Sequence, residues 1–131
     1  MLKDSNYLDV TYSEKIAPKG HYPHLLGKWL KDNFLDGGKE IIDFGCGRGD
    51  YLEVFENLGF KVSGVDISPN IQRLSDFNVR NIDFENEKWS SEDGQYDFVF
   101  SKSVIEHIKD VTNFFENVKN SNHQGPVLIH V

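Results

Sequence analysis

The chain has 131 residues, with 21 acidic and 14 basic side chains and a formal net charge of −7. That length supports one domain with a real core, and an acidic surface with no Lys/Arg block disfavours nucleic acid, whose binding rests on phosphate neutralisation. No apolar run approaches the roughly 20 residues of a membrane span, the start MLKDSNYLDV lacks the apolar core of a signal peptide, and the lone Cys46 can form no internal disulfide. A reducing cytoplasm is therefore the expected compartment. Without a Cys/His cluster at zinc spacing, no metal is expected.

Residues Met1 to Lys19 show no clear period and read as a loosely held arm, from which Tyr7 and Tyr12 could dock on the body. From His21 to Leu35 the pattern is helical. Leu25, Leu26, Trp29, Leu30 and Phe34 form one stripe, Pro23 suits the first turn and Gly37 a stop. Residues 1–38 thus make an arm and a covering helix, and residues 39–131 the core. Glu40 opens the strand EIIDF, whose β-branched Ile41 and Ile42 suit burial on both faces. Gly45, Gly47 and Gly49 follow at alternate positions, and Asp50 begins a helix through Tyr51, Leu52, Val54, Phe55 and Leu58 that stops at Gly59. Three glycines so close together suit a backbone that turns tightly and lies against a ligand, with the free N–H groups of the helix start facing it.

KVSGVD, Lys61 to Asp66, is the second strand. Ser68 and Pro69 read as an N-cap and first helical residue before a short helix through Ile71 and Leu74. Val79 to Asp83 is a brief third strand, and Tyr96 to Ser101 the fourth. Val111, Phe114, Phe115 and Val118 mark a helix capped by Asp110, and Val127 to Val131 is a fifth strand. Alternating strands and helices predict an α/β fold: a Rossmann-like, doubly wound, mostly parallel sheet with helices on both faces.

The pattern Asp43, Gly45, Gly47, Gly49 resembles the first motif of the class I S-adenosylmethionine-dependent methyltransferases, of the small-molecule type. It differs from the dinucleotide fingerprint G-x-G-x-x-G, because Asp50 stands where the third glycine would be. The carboxylate of Asp43 would repel a pyrophosphate and attract the ammonium of a methionine group. Asp66 ends the second strand where an acidic residue accepts hydrogen bonds from ribose hydroxyls; it reads otherwise as a capping or solvated aspartate.

The resemblance implies S-adenosyl-L-methionine as cofactor. It also implies cofactor contacts from Asp43, Gly45, Cys46, Gly47, Gly49, Asp66 and Ile67. Asp83 would receive the adenine amino group, and Phe84 would supply an apolar face to the ring. Backbone at Ser101 would receive the methionine ammonium. Glu106 and His107 resemble a Glu-His pair found after the fourth strand in this family. His107 reads either as a general base, since imidazole titrates near neutral pH, or as a loop anchor.

The activity so implied is methyl transfer to a small-molecule acceptor. Two other readings stay open: a nicotinamide-dependent oxidoreductase, and a non-catalytic nucleoside-binding module of a larger protein. The family's sheet carries two strands beyond the fifth, so truncation after the fifth strand is expected, with a homodimer as one means of covering the edge. The family also favours a Gly-Gly turn where this chain has SNHQG, Ser121 to Gly125.

Overall fold

The computed structural model describes residues 21–68, 71 and 76–131. The expected N-terminal arm lies outside the described residues, and so does the helix expected after Ser68 apart from Ile71. The elements are α1 (His21–Phe34), β1 (Glu40–Phe44), α2 (Asp50–Asn57), β2 (Lys61–Asp66), β3 (Asn78–Asn81), β4 (Phe98–Lys102), α3 (Val111–Asn120) and β5 (Val127–His130). Single 3-10 turns occupy Ser91–Asp93 and Ile105–His107.

The strands form one parallel sheet in the order β3-β2-β1-β4-β5. Period-2 alternation divides its side chains between two cores. Ile41, Val62, Phe98 and Phe100 face the front with Leu30 of α1 and Leu52 and Phe55 of α2. Ile42, Phe44, Val65 and Val99 face the back with Phe114 and Val118 of α3. Burial on both faces is why β1 and β4 read as nearly unbroken apolar runs. Each core has an aromatic centre: Phe55 and Phe100 in front, with ring centroids 5.2 Å apart, and Phe44 between Phe84 at 5.3 Å and Phe114 at 6.3 Å behind.

The helical stripe expected on α1 is only partly buried. Leu30 packs into the front core with Leu26 against it, while Leu25, Trp29 and Phe34 are exposed. Gly27 explains the rotation. A Cβ there would meet Val54 Cγ1 at 2.3 Å, so α1 lies against α2 along its glycine. On α3 the buried stripe is likewise shifted to Asn113, Phe114, Asn117 and Val118, leaving Val111 and Phe115 at the surface. Asp110 caps this helix as expected, accepting the Asn113 N–H at 3.0 Å.

Three strands differ at their ends from the sequence reading, the fifth only in stopping at His130 rather than Val131. The third strand runs Asn78–Asn81 rather than to Asp83, and the fourth runs Phe98–Lys102 rather than starting at Tyr96. Asp97 causes the later start: its carboxylate turns away to accept the N–H groups of Lys39 and Glu40 at 2.9 and 3.0 Å. Tyr96 keeps only an isolated bridge to Asn122. Strand order reverses between β1 and β4, and in parallel sheets of this kind the ligand crevice opens outside the carboxyl ends at that point.

Candidate functional site

Gly45, Gly47 and Gly49 leave the carboxyl end of β1 with φ of 93°, 54° and 89°. All three are left-handed, which L side chains adopt only at a cost. The turn is fastened beneath by Val65, whose carbonyl accepts the N–H groups of Gly45 and Cys46 at 2.7 and 3.0 Å. It is closed by the Cys46 carbonyl, which accepts the Gly49 N–H at 2.9 Å. Arg48 Nε then donates to both carboxylate oxygens of Asp50 at 2.9 Å, fixing the start of α2.

Two neighbouring positions let the turn lie this low. A Cβ on Gly45 would stand 2.2 Å from Val104 Cγ2, and one on Gly64 would stand 2.8 Å from both Cβ and Sγ of Cys46. Gly64 pairs with Asp43 in register, so the bare strand beside β1 is the seat of the turn. Gly64→Ala is expected to lift the turn and cost about 1–3 kcal/mol, the usual range for overpacking. Urea denaturation checks this, and an unchanged midpoint would show that Cys46 has room to move.

Asp66 sits beside the turn at the end of β2, 1% exposed. Its Oδ2 accepts the Gly47 N–H and its Oδ1 the Ser68 N–H, both at 2.9 Å. The carboxylate thus stitches the glycine turn to the segment after β2. Ile67 follows, and its carbonyl accepts from Asn81 Nδ2 at 2.8 Å.

Asp43 is also buried, at 4% exposure, and its Oδ1 has no hydrogen-bond partner among the described residues. Burial first, and then the charge of Asp66, push its carboxyl well above the ordinary carboxylate range. A buried oxygen without a donor at the carboxyl end of β1 suits a cationic or N–H-bearing ligand.

Of the expected contacts, the Phe84 ring is placed elsewhere, while Cys46 and Ser101 turn only their side chains inward. Cys46 turns its side chain into the front core, where burial pushes its thiol up, so only its backbone belongs to the turn. Phe84 is 0% exposed and packed against Phe44 and Phe114, so its ring belongs to the back core and offers no face to an adenine. The Ser101 hydroxyl donates inward to the Phe44 carbonyl at 2.8 Å, and the residue lies one position before the end of β4.

Asp83 stands two residues beyond β3 and organises a turn. Its oxygens accept from the Glu85 N–H at 3.0 Å and Asn86 Nδ2 at 2.7 Å. Asn113 and Asn117 of α3 hold this turn from behind by donating to the Phe84 and Glu87 carbonyls, and Asn117 Oδ1 accepts the Trp89 N–H at 2.8 Å. Glu106 and His107 lie in the turn after β4 with half-exposed side chains, Nε2 being 3.9 Å from Glu106 Oε1.

Gly64 and Ser103 were missed at the sequence level. A glycine inside a strand signals a close backbone approach, so Gly64 could have been found. Ser103 has a φ of 58°, strained backbone at the carboxyl end of β4, and nothing in its residue type announces that.

The methyltransferase domain family matches residues 19–131. The chain belongs to this family. An O-methyltransferase of ubiquinone biosynthesis from Thiobacillus denitrificans is 28% identical over 93 residues, covering 63% of this chain and 39% of that protein. The chain therefore spans well under half the length of that relative. Among solved structures, a Methanococcus maripaludis protein assigned to the S-adenosyl-L-methionine-dependent methyltransferases superposes with a TM-score of 0.77 at 17% identity, over 98% of this chain and 64% of its own. An O-methyltransferase from a Brevibacillus brevis multienzyme, solved with S-adenosyl-L-homocysteine, gives a TM-score of 0.64 at 21% identity, over 81% of this chain and 39% of its own. These structures share the methyltransferase fold with this chain.

The expected Gly-Gly turn is replaced by one with a single glycine, Gly125. Gln124 takes the left-handed φ of 69° that a glycine would take without strain, and a Cβ on Gly125 would stand 1.7 Å from the Asp97 carbonyl oxygen.

Proposed function

We propose that this chain is the cofactor-binding part of an S-adenosylmethionine-dependent methyltransferase acting on a small-molecule acceptor. One observation carries the reading. The left-handed turn Gly45–Gly49 is tied to the Asp66 carboxylate, with the unpartnered Oδ1 of Asp43 buried at the end of the same strand. That combination fits a ligand with a cation at one end and a ribose at the other. When bound, S-adenosylmethionine supplies a methyl group already activated by a sulfonium.

The chain's own residues bind and orient. Asp43 offers a carboxylate to the ammonium, which an opposite charge favours more strongly in a buried site than in water. Asp66 holds Gly47 in place and offers carboxylate lone pairs to the ribose hydroxyls. The turn built on Asp83 forms the rim on the adenine side, through its backbone and carboxylate. Ile67 and the Gly49 end of the turn complete the wall. Alignment of donor and acceptor in such a crevice can supply up to roughly 7–11 kcal/mol of the barrier. His107 would take the proton from an acceptor hydroxyl, as the base on the turn after β4. The name of the Thiobacillus relative makes an oxygen nucleophile the first acceptor class to test. Among the described residues no helix is long and apolar enough to cross a membrane, and a cytoplasmic setting is part of the proposal.

Thermal unfolding with ligands side by side tests this. S-adenosylhomocysteine at 100 times its dissociation constant is expected to stabilise the fold by roughly 2.7 kcal/mol, and NAD to leave it unmoved. A shift with NAD and none with adenosylhomocysteine would replace methyl transfer by nicotinamide chemistry.

A further inference from the structure

Asp43 Oδ1 is not alone on the front face. The hydroxyl of Tyr51 is also buried and also has no hydrogen-bond partner among the described residues. Tyr51 is the second residue of α2, just past the glycine turn. Its ring centroid lies 4.9 Å from that of Phe100, and Phe100 is the register partner of Asp43 across β1 and β4. The phenol therefore stands over the stretch of sheet that carries the Asp43 carboxyl. Packing explains the ring, which touches Phe55 and Phe100. It does not explain the oxygen, because a phenylalanine would fill the same wall without burying a polar atom that has no partner.

We infer that Tyr51 is a further cofactor-contacting residue, whose hydroxyl joins Asp43 Oδ1 in receiving the α-ammonium of the methionine end. This rests on the function proposed above. An ammonium brings three donors and no acceptor, so it needs several oxygens converging on it. A carboxylate ligand is the poorer match, since the Asp43 carboxylate would repel it. Burial first, and then the nearby Tyr22 and the acidic side chains of Asp43 and Asp50, hold the phenol proton on well above the ordinary tyrosine range. The hydroxyl is thus neutral at working pH and meets a cation as a dipole, by accepting a hydrogen bond, while Asp43 meets it with charge.

Tyr51→Phe removes the oxygen and keeps the ring. Calorimetric titration of the parent and this variant with S-adenosylhomocysteine and with 5′-methylthioadenosine, which lacks the amino-acid end, tests the inference. The variant is expected to lose about tenfold in affinity for adenosylhomocysteine, or about 1.4 kcal/mol, and nothing for methylthioadenosine. Its unliganded melting temperature is expected to equal or exceed the parent's, since no internal bond is lost. Unchanged adenosylhomocysteine affinity would overturn the inference and leave the proposed function standing. Equal losses for both ligands would also overturn it, by showing that the variant disturbs the turn rather than the ammonium site. A parent chain that binds neither ligand would overturn the proposed function, and this inference with it.

Discussion

Replacing Asp66 with alanine is expected to lower stability and abolish adenosylhomocysteine binding together. The reason is the double use of its carboxylate. Oδ2 holds the Gly47 N–H and Oδ1 the Ser68 N–H, each at 2.9 Å in a buried position. Hydrogen bonds to charged groups contribute about 1.5–3 kcal/mol each, and the alanine variant leaves both donors without their acceptor. The glycine turn then loses its tie to β2 while keeping the bonds from Gly45 and Cys46 to the Val65 carbonyl. Urea denaturation measures the stability loss, and calorimetry the binding. A variant as stable as the parent would mean that water or a neighbouring group replaces the carboxylate at no cost.

Asp43→Asn is expected to act in opposite directions on stability and binding. Burial and the Asp66 charge raise the Asp43 carboxyl well above the ordinary range, so the folded chain holds this proton more tightly than the unfolded chain. The stability that results is full below the unfolded value of about 3.9 and is lost as pH rises toward the folded value. An amide carries no such linkage. At pH 7 the variant is therefore expected to be more stable than the parent, because the amide buries no charge in the same place. The gain should vanish below about pH 4. Adenosylhomocysteine should bind the variant more weakly, and adenosine unchanged. Denaturation curves at the two pH values decide it: a variant less stable at pH 7 would show that the folded chain already stabilises the Asp43 carboxylate.

Where local chemistry and tertiary packing agree, the sequence was readable residue by residue. The strand Lys61–Asp66, the cap at Asp110 and the stop at Gly59 are examples. Each depends on a signal within a few residues: alternation and β-branching, a side-chain acceptor before a helix, or a glycine at positive φ. The turn Gly45–Gly49 was legible for the same reason, since three glycines mean three backbone positions that side chains would strain.

What could not be read depends on which neighbour a residue meets. Leu25 and Trp29 are as apolar as Leu26 and Leu30, and only the contact of Gly27 with Val54 decides which pair is buried. Phe84 follows a strand end at the crevice, yet its ring fills the back core beside Phe44. Asn113 and Asn117 look like solvated helix residues and are instead buried clamps on the loop behind Asp83. Tyr51 read as one more apolar residue of a helical stripe, because a sequence does not show whether a hydroxyl has found a partner.

The ligand is expected at the carboxyl ends of β1 and β2. It is not expected in the polar hollow at the other end of the sheet, which Lys31, Asp36, Gly59 and their neighbours line. Titrating the isotope-labelled chain with S-adenosylhomocysteine and following its backbone amide resonances tests this most directly. Saturable changes are expected at Gly45, Gly47, Gly49 and Asp66 and near Asp83, with Gly37 and Gly59 unmoved. Changes confined to residues 31–38 and 58–60, or none in the glycine turn at saturating ligand, would contradict this placement.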